Sequence, residues 1–443
     1  MAPMSTRRFA IALLLLVIPT PAMADDNTDA KWIGEARQAL QWLREGKSEQ
    51  FVEACNDTMK NAIPAKQLEG LWTQLESNFG AYEGEISATC SKIEKYQTVT
   101  LVSRFANSAL DVRISFDVSG KIAGLFFTPS SQDVAYTAPD YADEKKFTER
   151  PVKVTCGAFS LDGTLTLPVA EGPHRAVVLV HGSGPHDQDE TIFLNKPFRD
   201  LAWGLATKGV AVLRYEKRTR KYGPQMDPTT VDIDSETADD AIAAAQLLMA
   251  RPDIQADHVY IVGHSLGASA APYIASKERR IAGIVLLGAA ARPIYELVAD
   301  QIPYLARIDG TVTPDEQKSI DETLAMVSKL RSGKIEPGDT LLGAPAQYWK
   351  ALDRMDAVGF ARKCTKPMLI LQGGRDYQVT DKEFEIWREQ LRDHKNVTLR
   401  RYEKLDHLFH AGEGKSGPDD YRRKGYVDPV VIADIAAWVK RQD

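Results

Sequence analysis

Apolar and polar positions follow one rhythm in the first third of the chain and another in the rest. Over residues 29–43, apolar side chains recur at Trp32, Ile33, Ala36, Ala39, Leu40 and Leu43. That 3.6-residue period predicts a helix. A second helix is expected over residues 64–78, opened by Pro64 and closed by Gly80. Three strand-like stretches follow at 96–105, 110–117 and 121–127, the last two joined by a Ser119-Gly120 turn. Helices followed by consecutive strands predict a small α+β domain over residues 25–130.

A polar, proline-containing stretch, SQDVAYTAPDYADEKK, marks a linker over residues 131–146. Beyond it two strands are expected at 151–160 and 161–167 about an Asp162-Gly163 turn. AVVLV at 176–180 is wholly apolar, as a strand buried on both faces must be. Helices at 197–208, 235–250 and 266–277 then alternate with strands at 210–215, 259–262 and 282–287. Such alternation predicts an α/β domain over residues 147–443, a mostly parallel sheet with helices on both faces. Strands at 367–372 and 396–402, a helix at 381–391 and a last helix at 429–440, N-capped by Asp428, complete it. The alternation is broken over about 290–362 by a helical insertion, too long for a plain loop. It reads as a cap over the site, the alternative being a decoration remote from it.

The first 24 residues change the picture of where the protein works. Arg7 and Arg8, an apolar run over 9–18 and Ala22-Met23-Ala24 before Asp25 have the form of a secretory signal peptide. The run is too short to span a bilayer comfortably, although a retained anchor is the alternative. An exported protein, periplasmic or secreted and without stable membrane insertion after cleavage, is the expectation. Loss of the two arginines moves the formal charge from −6 to −8. An acidic chain of this kind lacks the cationic surface on which nucleic-acid affinity rests. Its four cysteines, Cys55, Cys90, Cys156 and Cys364, would meet an oxidising compartment. Cys55 and Cys90 could form a bridge there or stand as two buried thiols.

Candidate chemistry centres on VYIVGHSLGASAA, where an apolar strand runs into Gly263-His264-Ser265-Leu266-Gly267 and small residues begin a helix. G-x-S-x-G in that context is a nucleophile elbow, with Ser265 on a strained turn. A serine hydroxyl needs a base within reach and a carboxylate to orient the base. Asp376 follows the strand in MLILQGGRDYQV, and His407 follows the next strand in VTLRRYEKLDHLFH. One crossover separates them, which puts them side by side at the carboxyl edge of the sheet. His410 is a second candidate base and Asp406 a second candidate acid. An oxyanion needs backbone N–H donors. Leu266, just after the nucleophile, supplies one, and Ser183 in VLVHGSGPHDQDE the other, with Gly184 in reserve.

The acids and histidines of that same loop, His181, His186, Asp187, Asp189 and Glu190, lack the helical histidine spacing of a metal site. They are read as fixing the loop by hydrogen bonds; no metal and no cofactor is expected. GEGKSG at 412–417 matches G-x-G-x-x-G, but not between a strand and a helix. Tyr348 and Trp349 in the insertion could line an acyl pocket or serve packing.

On these segments, together with VAVLRYEKRTRKYG, residues 151–443 resemble the α/β-hydrolase superfamily. The resemblance is to its bacterial carboxylesterase branch, related to serine aminopeptidases and dienelactone hydrolases. Relatives usually carry a glycine after the arginine at 218, where this chain has Thr219-Arg220. The N-terminal unit resembles a small module of unknown function fused ahead of such esterases in exported bacterial proteins. The resemblance implies a serine carboxylesterase acting on small-molecule esters through Ser265, His407 and Asp376. Its rivals are a peptidase or amidase using the same triad, and a binding protein on a hydrolase scaffold.

Overall fold

In the computed structural model, residues 26–93, 95–106, 108–130, 136–227 and 229–442 are described. The expected signal segment, residues 1–24, lies outside them. Strands β1 (Tyr82–Ile93), β2 (Tyr96–Phe105), β3 (Ser108–Phe116) and β4 (Ile122–Pro129) form an antiparallel meander. Helix Asp26–Arg44 lies against it through Ala36, Ala39, Leu40 and Leu43. The helix expected over 64–78 is two, Ala65–Leu68 and Leu71–Phe79, because Gly70 between them takes a left-handed φ of 78°. Short helices Ser48–Ala54 and Asp57–Ala62 span too few residues for a 3.6-residue period to show, and β1 alternates partly through small residues.

A second sheet holds eight strands: β5 (Phe147–Cys156), β6 (Phe159–Pro168), β7 (His174–Val180), β8 (Ala211–Tyr215), β9 (Ile254–His264), β10 (Gly283–Leu287) and, after the short hairpin β11 (Thr340–Leu341) and β12 (Ala344–Pro345), β13 (Met368–Gly373) and β14 (Val397–Tyr402). Their order is β14-β13-β10-β9-β7-β8-β6-β5, parallel from β14 to β8 and antiparallel at β6 and β5. Asp162 and Gly163 are not a turn: both lie within β6, and the chain reverses at Gly157 instead. Gly163 is small because a Cβ there would come 2.8 Å from the Arg214 carbonyl on β8.

Both faces of the sheet are covered. Helices Asp239–Met249 and Leu266–Lys277 pack with the insertion on one face; Pro197–Thr207 and Pro429–Arg441 pack on the other. The insertion folds as helices Ile294–Ala306, Pro314–Ser332, Ala346–Leu352 and Ala357–Lys363. Val327, Leu330, Trp349 and Leu352 share one apolar core with the sheet. Trp349 is therefore packing, its indole N–H donating to the Leu341 carbonyl at 3.0 Å. All four cysteines are free thiols, so Cys55 and Cys90 are not joined.

Candidate active site

Strand β9 ends at His264, and the helix beginning at Leu266 starts at once, so Ser265 alone turns the chain. It does so at φ 52° and ψ −115°, a conformation that costs a residue with a Cβ of order 1–3 kcal/mol. Gly263 and Gly267 make the bend possible. A Cβ on Gly263 would lie 2.3 Å from the Gly267 carbonyl oxygen, and one on Gly267 would lie 2.2 Å from the Val180 carbonyl oxygen on β7. The Ser265 N–H donates to the Leu287 carbonyl at 2.9 Å, fixing the elbow to the end of β10. Ser265 is half-buried, and Leu266 opens a helix whose first N–H groups have no intrahelical acceptor.

Two strands away, the Asp376 carboxylate and the His407 ring meet. His407 Nδ1 lies 2.6 Å from Asp376 Oδ2, and both side chains are almost wholly buried. The other carboxylate oxygen accepts the N–H groups of Gln378 at 2.9 Å and Val379 at 2.8 Å. Asp376 is thus an acceptor locked in one orientation, and its second oxygen faces Nδ1 of His407. Gly288, just past Leu287, opposes this pair: a Cβ there would sit 3.2 Å from His407 Nδ1 and 3.3 Å from Asp376 Oδ2. Ser265, Asp376 and His407 therefore each follow the carboxyl end of a strand, β9, β13 and β14 respectively, on one edge of the sheet.

The alternatives serve the loop. Asp406 accepts the Leu408 and His410 N–H groups at 2.9 and 3.0 Å. His410 packs against Gly425, where burial pushes its imidazole down to about 4. In the loop after β7, the Gly182 N–H donates to Glu190 Oε1 at 2.6 Å, Asp187 receives the N–H groups of Asp189 and Thr191, and Asp189 faces Arg214 at 2.8 Å. The acids there fix the loop by hydrogen bonds and ion pairs, as the sequence suggests. Ser183 is exposed on this loop, one residue beyond Gly182, whose α-carbon abuts Ser265: a Gly182 Cβ would lie 3.1 Å from Ser265 Cβ.

Sequence reasoning gave His264 no role, yet it ties three loops together. Its Nδ1 stands 2.9 Å from Glu190 Oε2 and its Nε2 donates to the His407 carbonyl at 2.9 Å. Burial opposes charge on both partners, but their mutual attraction prevails: Glu190 is held down at about 2 and His264 is raised above its ordinary value. The His264–Glu190 pair thus lies between the loop carrying Ser183 and the loop carrying His407. A histidine just before a serine gives no sequence signal of this, because its partner is 74 residues upstream.

A mostly parallel sheet with helices on both faces, carrying a strained serine and an aspartate-bound histidine past its strand ends, is the architecture of an α/β hydrolase. Residues 177–420 match the alpha/beta hydrolase family model, and the chain belongs to that family. Residues 36–125 match a second family, described as a protein of unknown function, DUF3887. The chain is 38% identical over 406 residues to Esterase EstD of Thermotoga maritima, covering 91% of this chain and 94% of that protein. Solved structures of similar fold include a Pyrococcus furiosus esterase, with a TM-score of 0.45 and 16% identity over 71% of this chain and 97% of that one. Est1E of Butyrivibrio proteoclasticus aligns with a TM-score of 0.43 and 16% identity, over 66% and 98% of the two chains.

Proposed function

We propose that this chain is an exported serine carboxylesterase that cleaves small-molecule esters through an acyl-enzyme. Ser265 Oγ attacks the ester carbonyl while His407 Nε2 takes its proton. Asp376 holds the imidazole and stabilises its positive charge. The N–H groups of Ser183 and Leu266 receive the oxyanion. His407 then gives the proton to the leaving alcohol, and water, activated by the same histidine, frees the acid and restores Ser265. No cofactor takes part in these steps.

The observation that carries this reading is the 2.6 Å contact between His407 Nδ1 and Asp376 Oδ2, on the same strand-end edge of the sheet as a serine bent to φ 52°. Likeness to an esterase over nine-tenths of the chain supports esters as the substrate class. Export rests on residues 1–24, and protein recovered from outside the cytoplasm should begin at Asp25. Hydrolysis of p-nitrophenyl esters of increasing acyl length, set beside the matching anilides, tests the substrate class. Esters should turn over at least about 10²-fold faster; comparable anilide rates would point to an amidase. Stoichiometric fluorophosphonate labelling, lost in Ser265→Ala, is expected, and a native chain that resists the probe would point to a binding protein on a hydrolase scaffold.

A further inference from the structure

Behind the loop that carries Ser183 lies a buried cation that the triad does not use. Lys217 follows β8, and its ammonium donates to the Gly182 carbonyl at 2.7 Å and to Glu236 Oε1 at 2.7 Å. Both side chains are almost wholly buried, at 3% and 4% exposure. The other Glu236 oxygen accepts the hydroxyl of Tyr348, in the insertion, at 2.8 Å. Burial and the neighbouring carboxylate push the Tyr348 hydroxyl well above its ordinary value, so it stays a donor. The Lys217 N–H donates to the His186 carbonyl at 3.1 Å, and the His186 ring, Nε2 toward the carbonyl, holds Ser183 O at 2.6 Å.

We infer that Lys217 is a positioning residue for the oxyanion hole, and that Tyr348 links its setting to the insertion through Glu236. A trans peptide is planar, with C=O and N–H pointing to opposite sides. The peptide between Gly182 and Ser183 has its carbonyl gripped by the Lys217 ammonium, so its N–H, that of Ser183, is turned the other way and cannot rotate without breaking a buried charged hydrogen bond. Glu190 grips the Gly182 N–H from the other side at 2.6 Å. Gly182 thus stands between one buried anion and one buried cation, with its α-carbon against Ser265. Polarisation of the carbonyl by Lys217 also makes the Ser183 N–H a stronger donor. Donors fixed before the reaction need no reorganisation when the negative charge develops, which is where an oxyanion hole gains its effect.

A buried lysine and glutamate cost several kcal/mol each to desolvate, so apolar packing would be the simpler way to fill the space. Their retention at the back of the loop fits a role in aiming the peptide. Tyr348 extends the arrangement, because its hydroxyl ties the insertion to Glu236 directly.

The inference rests on Ser183 as an oxyanion donor, and the test separates the two. Lys217→Met, the double variant Lys217→Met/Glu236→Gln and Tyr348→Phe are compared with the native chain for kcat, KM and inhibition by a trifluoromethyl ketone, whose adduct places an oxyanion in the site. The double variant removes both charges, so it folds even if Lys217→Met, with an unpaired buried glutamate, does not. Expected is a loss of about 10- to 100-fold in kcat, short of the 10²–10³-fold seen when an oxyanion donor is removed outright. The ketone should bind more weakly by a similar factor, with KM within about threefold. Tyr348→Phe should lose about threefold in kcat. A folded double variant with native kcat and ketone affinity, or a loss confined to KM or thermal stability, overturns the role of Lys217. Fluorophosphonate labelling of Ser265 in the native chain is read in parallel. Labelling with unchanged variant rates sinks this inference alone, whereas a native chain that is not labelled takes the proposed active site down with it.

Discussion

The two units of the chain bury different kinds of side chain. Among the described residues of the N-terminal unit, the buried polar groups are Ser48, Thr98 and Ser103, none of them a carboxylate or a cation. The hydrolase unit buries Glu190, Lys217, Glu236, His264, Asp376 and His407, on the serine turn itself, on the loops after β7, β8, β13 and β14, and on the segment before helix Asp239–Met249. Desolvating such groups is costly, and apolar residues of the same volume would generally give equal or greater stability. The difference teaches where to look: the N-terminal unit spends its interior on packing, and the hydrolase unit spends part of its own on holding loops. The units touch through aromatic rings, Phe79 at 5.7 Å from Phe193 of the loop after β7.

Substitutions in the two units should therefore fail in different ways. The largest effect belongs to the triad: Asp376→Asn and His407→Ala should each lower kcat/KM by about 10⁴-fold while the thermal midpoint moves little. Steady-state kinetics on one p-nitrophenyl ester checks this, and a loss under about tenfold would break the contrast. Next is Phe51→Ala, in the apolar centre of the N-terminal unit. Truncating a fully buried phenylalanine costs about 3–5 kcal/mol. Urea unfolding should register that loss in the N-terminal unit, with kcat per folded molecule unchanged.

Glu190→Gln sharpens the comparison, because it should cost stability and do so with a particular pH dependence. Breaking a buried ion pair costs about 3 kcal/mol. Glu190 is lowered from 4.5 to about 2, so its share is present above pH 4.5 and fades as pH falls toward 2. His264 is raised from 6.5, so its share is complete below pH 6.5 and fades as pH rises through the higher folded value. The stability gap between the native chain and Glu190→Gln should therefore be widest between these limits and narrow on either side; a gap flat from pH 3 to 9 would refute the pairing. The smallest effect is Asp428→Ala, which removes the cap accepting the Val430 N–H at 2.9 Å, about 1 kcal/mol by urea unfolding and nothing in kcat.

Much of the fold was legible because it is written in apolar runs. The helix Leu266–Lys277 coincides with its expected span, and the AVVLV run lies in β7. The four-residue offset at β5 arises because Asp162-Gly163 has turn chemistry, while close approach to Arg214 is what fixes the glycine. β1, YEGEISATCSKI, is hard to read because its half-buried face alternates through small residues, Gly84, Ala88 and Cys90, which signal a strand weakly. At the candidate site, the placement of Ser265, Asp376 and His407 past strand ends was legible, because each follows an apolar run or a motif. The holding residues were not, since a buried Lys217 or Glu236 looks like surface in the sequence until its partner, 19 residues away, is brought beside it.

The central claim is that Ser265 is the nucleophile of an acyl-enzyme. Rapid mixing with a p-nitrophenyl ester, followed by acid quench and peptide mass analysis, tests it most directly. An acyl-enzyme on Ser265 should give a burst approaching one p-nitrophenol per chain and an acyl group on the peptide containing Ser265, both absent in Ser265→Ala. Turnover that persists in Ser265→Ala, or an acyl group on any other residue, would contradict it.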